Sequence, residues 1–211
     1  MSMRFIVISD IHADSDAQGW INEKIAQHDA DAVLVLGDIT HFGPLSWAEE
    51  FLKGLDAPAY AIPGNCDPLD LPETVAKVAT DMHGKSVDLN GLTLVGLGGS
   101  NPTIFGTPFE LTEEEILSSL EEVSSPGMLL MTHAPAFMTN DEITSGLNVG
   151  SRSLAKIVEK YRPVVHLSGH VHEARAVVEK DGTLYMNPGA AKDGFSGLLV
   201  MGEDGPEATL L

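Results

Sequence analysis

Cysteine is nearly absent from this sequence: Cys66 stands alone in 211 residues. No intramolecular disulfide can form, which points to a reducing compartment. Positive charge is scarce as well. Twelve Lys and Arg face 31 Asp and Glu, for a formal net charge of −19. So acidic a chain, with no basic stripe, repels long nucleic acid, yet it leaves room for a small anion in a local cationic pocket. The acidic residues are spread along the chain and read as a solubilising surface. Long apolar runs are missing too. No stretch approaches the ~18 residues of a membrane span. The apolar N-terminus meets Ser9, Asp10 and His12 too soon for a signal-peptide core. Repeats and low-complexity segments are lacking. These absences lead us to expect a soluble, cytoplasmic chain with no membrane partner. Residues 1–211 are expected to form one domain, long enough to bury a core without cross-links.

What is present is a series of short apolar runs that each end in a polar side chain. Ala32 to Leu36 runs into Gly37 and Asp38. So short a run of Val and Leu reads as a strand buried on both faces. Arg4 to Ser9 ends at Asp10 and His12, Ala59 to Ile62 at Gly64-Asn65-Cys66-Asp67, Met128 to Thr132 at His133, and Pro163 to Leu167 at Gly169-His170-Val171-His172. Strands of one parallel sheet place their carboxyl ends on one rim, where ligands gather. Imidazole and carboxylate in such numbers suit Zn, Fe, Ni or Mn, and no thiolate pair asks for a structural zinc.

Between these runs the spacing predicts helices. One passes through Trp20, Ile21 and Ile25, capped by Ser15 or Asp16. Another follows Pro44, and a third covers Leu71 to Ala79. Thr112 with Glu115 forms a capping-box pattern, and Ser151 opens a further helix. The alternation of strand and helix indicates a mainly parallel sheet. Val87 to Leu89 and Leu92 to Leu97 form a hairpin at Asn90-Gly91. After residue 172 the pattern changes to short antiparallel hairpins turning at Asp181-Gly182 and Asp204-Gly205. The polar stretch from Ala134 to Gly150 is long for a connection and suggests a lid or substrate loop.

In this order, Asp10-Ile11-His12, Gly37-Asp38, Gly64-Asn65-Cys66-Asp67, His133 and Gly169-His170-Val171-His172 resemble the calcineurin-like metallophosphoesterase superfamily. The small single-domain prokaryotic phosphodiesterases of that group are the most similar, and Asn187-Pro188-Gly189 also fits them. The resemblance implies an α/β fold of four layers, α/β/β/α, with two mixed β-sheets flanked by helices. It implies two divalent metal ions, drawn from Mn, Ni, Fe, Co or Zn. Asp10, His12 and His172 would hold one, Asn65, His133 and His170 the other, and Asp38 would bridge both. Asp38, Asn65 and His133 are expected to be the catalytic residues. Two such ions outweigh the charge of Asp10 and Asp38, so the site stays cationic in an acidic chain. A water shared by two metals loses its proton near neutral pH and serves as nucleophile.

The sequence departs from many relatives in placing Cys66 where a histidine follows the Asn. A thiol is a poor general acid or phosphate donor, which favours diesters with good leaving groups. The reading is therefore a dinuclear metal-dependent phosphodiesterase acting on a small phosphoester. The alternatives are a phosphomonoesterase on a nucleotide or small metabolite, and a catalytically silent metal-stabilised scaffold. The scaffold is disfavoured because all seven ligands are present. Cys66 itself reads as a buried filler. His166 reads as a core residue, His28 and His83 as surface residues, and His41 as a loop residue near the site. Phe105 and Phe109 read first as packing residues, with the pocket wall as the alternative. Arg152 and Lys192 are left outside the site, and Asp67 is expected to orient its neighbours.

Overall fold

The computed structural model describes residues 2–211. Two six-stranded mixed sheets pack face to face. In the first, β12 (Gly205–Leu210), β11 (Gly197–Gly202), β1 (Met3–Ile8), β2 (Ala32–Val35), β3 (Ala59–Ala61) and β4 (Thr80–Asp81) lie side by side in that order. In the second the order is β5 (Lys85–Leu89), β6 (Leu92–Leu97), β7 (Leu129–Thr132), β8 (Val165–Leu167), β10 (Thr183–Asn187) and β9 (Ala176–Lys180). β1, β2 and β3 run parallel, as do β6, β7 and β8. The C-terminal hairpins do form. One of them attaches to β1 through the antiparallel β1–β11 pair, and the other joins β8 through a parallel β8–β10 pair.

The pleat sends alternate side chains to opposite faces, and each face finds its own core. Phe5, Val7, Leu34 and Leu36 point between the sheets and meet Leu129, Met131, Val165 and Leu167. Ile6, Ile8, Val33 and Val35 point outward against α1 (Ala17–Gln27), α2 (Leu45–Lys53) and α3 (Leu71–Val78). Val95, Leu97 and Leu130 pack outward against α4 (Glu113–Val123) and α5 (Arg152–Tyr161). Burial on both faces explains why β1 and β2 are continuous apolar runs, and the four-layer expectation holds. The expectation that all five motif-bearing strands share one sheet does not. β1, β2 and β3 belong to the first sheet, β7 and β8 to the second. The two sheets nevertheless present their carboxyl ends at the same edge, because the Leu36 carbonyl beyond β2 meets the His133 ring beyond β7, 2.8 Å apart.

Candidate metal centre

At that edge the chain leaves its strands through strained turns. Asp10, His12, Asp38 and His170 all have positive φ, at 57°, 48°, 48° and 65°. This left-handed conformation costs a non-glycine residue roughly 1–3 kcal/mol, and such costs collect at functional sites. Neighbouring backbone holds the turns in place. Asp10 N donates to Gly37 O at 3.0 Å and His12 N to Asp38 O at 2.8 Å, tying the β1 exit to the β2 exit. The carboxylate of Asp67, fully buried, accepts from Gly64 N, Ile39 N, Thr40 N and the Thr40 hydroxyl, tying the β2 exit to the β3 exit. A side chain at Gly64 would overlap the Asp38 amide and carboxylate, so glycine is required there.

These turns gather six of the seven expected side chains through direct polar contacts. Asp10 Oδ1 lies 3.1 Å from His172 Nε2 and 3.9 Å from His12 Nε2. Asp38 Oδ2 lies 3.6 Å from His12 Nε2, and its other oxygen, Oδ1, lies 3.6 Å from His133 Nε2. Asn65 Oδ1 stands 2.9 Å from His133 Nε2. The seventh, His170, places its backbone N–H on Asp10 Oδ2 at 3.1 Å, and its ring is 5.1 Å from that of His133. Donor atoms of Asp10, His12 and His172, and of Asp10, Asp38 and His133, are close enough to share an ion.

The donor set fits cations. His133 Nδ1 faces a carbonyl, so it carries the proton and leaves Nε2 as a lone pair. The Asn65 amide is fixed as well. Thr107 Oγ1 donates to Glu110 Oε1 at 2.7 Å, so it accepts from Asn65 Nδ2 at 3.0 Å and turns Asn65 Oδ1 toward His133. Two acceptors thus meet at 2.9 Å. Two ligand atoms each about 2.1 Å from one ion and at right angles to each other are about 3 Å apart. Asp10 Oδ1 and His172 Nε2, 3.1 Å apart, form a hydrogen bond when that nitrogen carries the proton and have the spacing of two ligands of one ion when it does not.

Charge tells a consistent story. Burial would raise the Asp10 carboxyl, but the hydrogen bond with His172 and the charges of His133 and His172 outweigh it and hold it well below its ordinary value. Burial, reinforced by Asp10 and Asp67 against the pull of His133, pushes Asp38 up to about 7. A buried carboxyl pushed so high is a group that a nearby cation would return to its charged form. Burial pushes His12 down to about 4 and His170 to about 3, leaving both neutral rings at pH 7, the form that ligates metals. The Cys66 thiol is pushed far up by burial first and then by Asp38. It stays protonated, and it is half-buried rather than the buried filler expected, with its sulfur near His12 and His41.

The remaining sequence candidates fall into place around this centre. His41 is exposed, with its ring 5.5 Å from that of His12. His166 is buried, its Nε2 2.8 Å from the Thr132 hydroxyl and its Nδ1 without a partner. His83 is no surface residue: its Nδ1 accepts from Gly98 N at 3.1 Å and its ring packs on Phe109. Phe109 is core, whereas Phe105 is 80% exposed. Arg152 lies over the Phe137 ring, and Lys192 pairs with Asp193. Residues 134–150 are tied down by Asp141, which accepts from Met138 N, Gly150 N and Asn148 Nδ2. Asn187 earns its place by donating to Val171 O, between His170 and His172. Thr107 and Glu110 went unnoticed in the sequence. They lie in an aperiodic loop, and only the fold brings them to Asn65.

An uncharacterized protein of Methanocaldococcus jannaschii is 32% identical over 197 residues, covering 88% of each chain. A probable cyclic nucleotide phosphodiesterase of Pseudoalteromonas is 25% identical over 208 residues, 90% of this chain and 78% of that one. Among solved structures, a dimetal phosphatase from Danio rerio superposes with a TM-score of 0.62 at 10% identity, covering 99% of this chain and 98% of that one. The profile described as calcineurin-like phosphoesterase matches residues 3–174, and the chain belongs to that family.

Proposed function

We propose that this chain is a dinuclear metal-dependent phosphoesterase that hydrolyses a small phosphodiester. One observation carries the reading: Asp38 presents one oxygen to His12 and the other to His133, 3.6 Å each way. A carboxylate so placed can serve two cations at once. Asp10, His12 and His172 would hold the first, and Asn65, His133 and His170 the second. Two such ions supply, when bound, Lewis acidity toward a phosphoryl oxygen and an acidified water. The chain supplies the rest. The Leu36 carbonyl orients His133, Thr107 orients Asn65, and the Asn187 amide holds the turn that carries His170 and His172. Asn65 adds a neutral oxygen, which keeps the centre positive toward an anionic substrate. Cys66, protonated and half-buried, offers no acid comparable to an imidazolium, which favours diesters whose leaving group departs without one. The relative named as a probable phosphodiesterase supports the same choice.

The test is turnover of bis-p-nitrophenyl phosphate against p-nitrophenyl phosphate, after loading with Mn, Ni, Fe, Co or Zn in turn. The proposal expects the diester to be the better substrate by kcat/KM with at least one metal, and the activity to vanish on chelation. A monoester preference would replace the diester reading with the phosphomonoesterase one. Hydrolysis of neither compound with any metal would overturn the enzyme reading.

A further inference from the structure

Two imidazoles stand beside the single cysteine of the chain. Donor atoms of His12, His41 and Cys66 all lie within 4.8 Å of one another. The three residues follow β1, β2 and β3, and backbone bonds hold those exits together. His12 N donates to Asp38 O at 2.8 Å, Ala13 N to Ile39 O at 3.0 Å, and Phe42 N to Cys66 O at 3.0 Å. Cys66 N also donates to Asp38 Oδ1 at 2.8 Å. The sheet itself thus sets their placement. The exposed ring of His41 lies 5.5 Å from that of His12, centroid to centroid. Asn65 Nδ2 donates to Cys66 Sγ at 3.6 Å. His12 is less committed to the neighbouring centre than His133 is. A bond from His133 Nδ1 to Leu36 O fixes the His133 ring. His12 Nδ1 is buried and has no hydrogen-bond partner among the described residues, so no such bond fixes its ring.

We propose that Cys66, His41 and His12 form a binding site for a thiophilic divalent cation of the Zn2+ class. One thiolate and two imidazoles are a donor set that such an ion prefers, whereas Mn2+ and other harder ions favour oxygen. Ligands of a tetrahedral Zn2+ stand roughly 3.5 Å apart, so side-chain shifts on the order of 1 Å close the three on an ion. Three protein ligands leave a fourth position open, and the exposure of His41 leads to it from solvent. A coordinated thiol loses its proton outright, here to solvent, and the freed lone pair makes the sulfur–metal bond. A neutral imidazole has one lone pair, so His12 serves one ion at a time. The site stands apart from the phosphoesterase reading, and its test needs no turnover.

The full chain, freed of metal by chelation, is titrated with Cd2+ and read by ultraviolet difference absorbance. Any thiolate-to-metal charge-transfer band belongs to Cys66, the one thiol present. Wild type is expected to develop this band, and excess Zn2+ to remove it. C66S is expected to lack it. H41A, which keeps the thiol, is expected to bind Cd2+ about tenfold or more weakly, at least the worth of an outer partner of a metal site. Melting temperatures of both variants are checked against wild type. No band in wild type would overturn the site. A band whose affinity in H41A stays within about twofold of wild type would overturn it too, by showing a thiol that captures Cd2+ without His41.

Discussion

Thr107 shows how a residue outside the centre can decide its chemistry. Its hydroxyl gives its proton to Glu110 and therefore accepts from Asn65, which leaves the Asn65 oxygen facing inward. Thr107→Val removes that acceptor and frees the amide to rotate. Losing an outer partner of a metal ligand costs on the order of 10–100-fold in metal affinity. We expect a loss of that size at one metal position, read by titration with Mn, with the other position little changed. His166 gives a second prediction, on pH. Burial holds its ring near 4 in the folded chain against 6.5 when exposed. Below 6.5 the unfolded chain takes up a proton that the folded chain refuses, so stability is lost as the pH falls from 6.5 through about 4. His166→Gln keeps a donor for Thr132 and lacks the titration. Urea unfolding at several pH values is expected to show wild type losing stability relative to this variant across that interval. A constant difference would exclude the assignment. The candidate ligand residues were legible in the sequence because each lies within five residues of a strand end. Thr107 was not, because 42 residues separate it from Asn65 and its loop has no period to read.

At the scale of elements, α4 and α5 are joined by a cap that crosses between them. Glu113, in the first turn of α4, accepts from the Ser151 hydroxyl, Arg152 N and Ser153 N at the start of α5. Ser151 also caps α5 itself through Leu154 N. Glu113→Ala leaves orphan donors at a helix N-terminus, and lost caps cost about 1–2 kcal/mol. Denaturant unfolding is expected to show a loss of that order. Burial would raise the Glu113 carboxyl, but its hydrogen bonds hold it below the ordinary 4.5. Its contribution is therefore full above about 4.5 and fades as the pH falls through the lower folded value. The sequence displayed most helices and strands through capping residues and apolar runs. It did not display which sheet each strand joins. Apolar runs report burial on two faces, and β2 and β7 satisfy that equally well in either sheet. The capping box at Thr112–Glu115 was legible because its partners are local, while the second cap from Glu113 spans 38 residues to Ser151.

The whole molecule is strongly acidic, yet it gathers carboxylate and imidazole groups that could hold a cation at one edge of its sheets. Its formal charge of −19 makes the folded chain repel itself, and salt screens that repulsion. Raising NaCl from roughly 0.05 to 0.5 M shortens the Debye length about threefold, and we expect the melting temperature to rise with it. A fall would mean that surface ion pairs such as Lys160–Glu121 outweigh the net repulsion. The central claim is that Asp38 stands between two cations. The most direct test is the metal content of wild type and Asp38→Asn after loading with Mn and gel filtration, read by elemental analysis beside Asn65→Ala. The account predicts two equivalents in wild type, loss of both in Asp38→Asn, and loss mainly of one in Asn65→Ala. A single equivalent in wild type, or an Asp38→Asn variant that gives up the same single ion as Asn65→Ala, would contradict it.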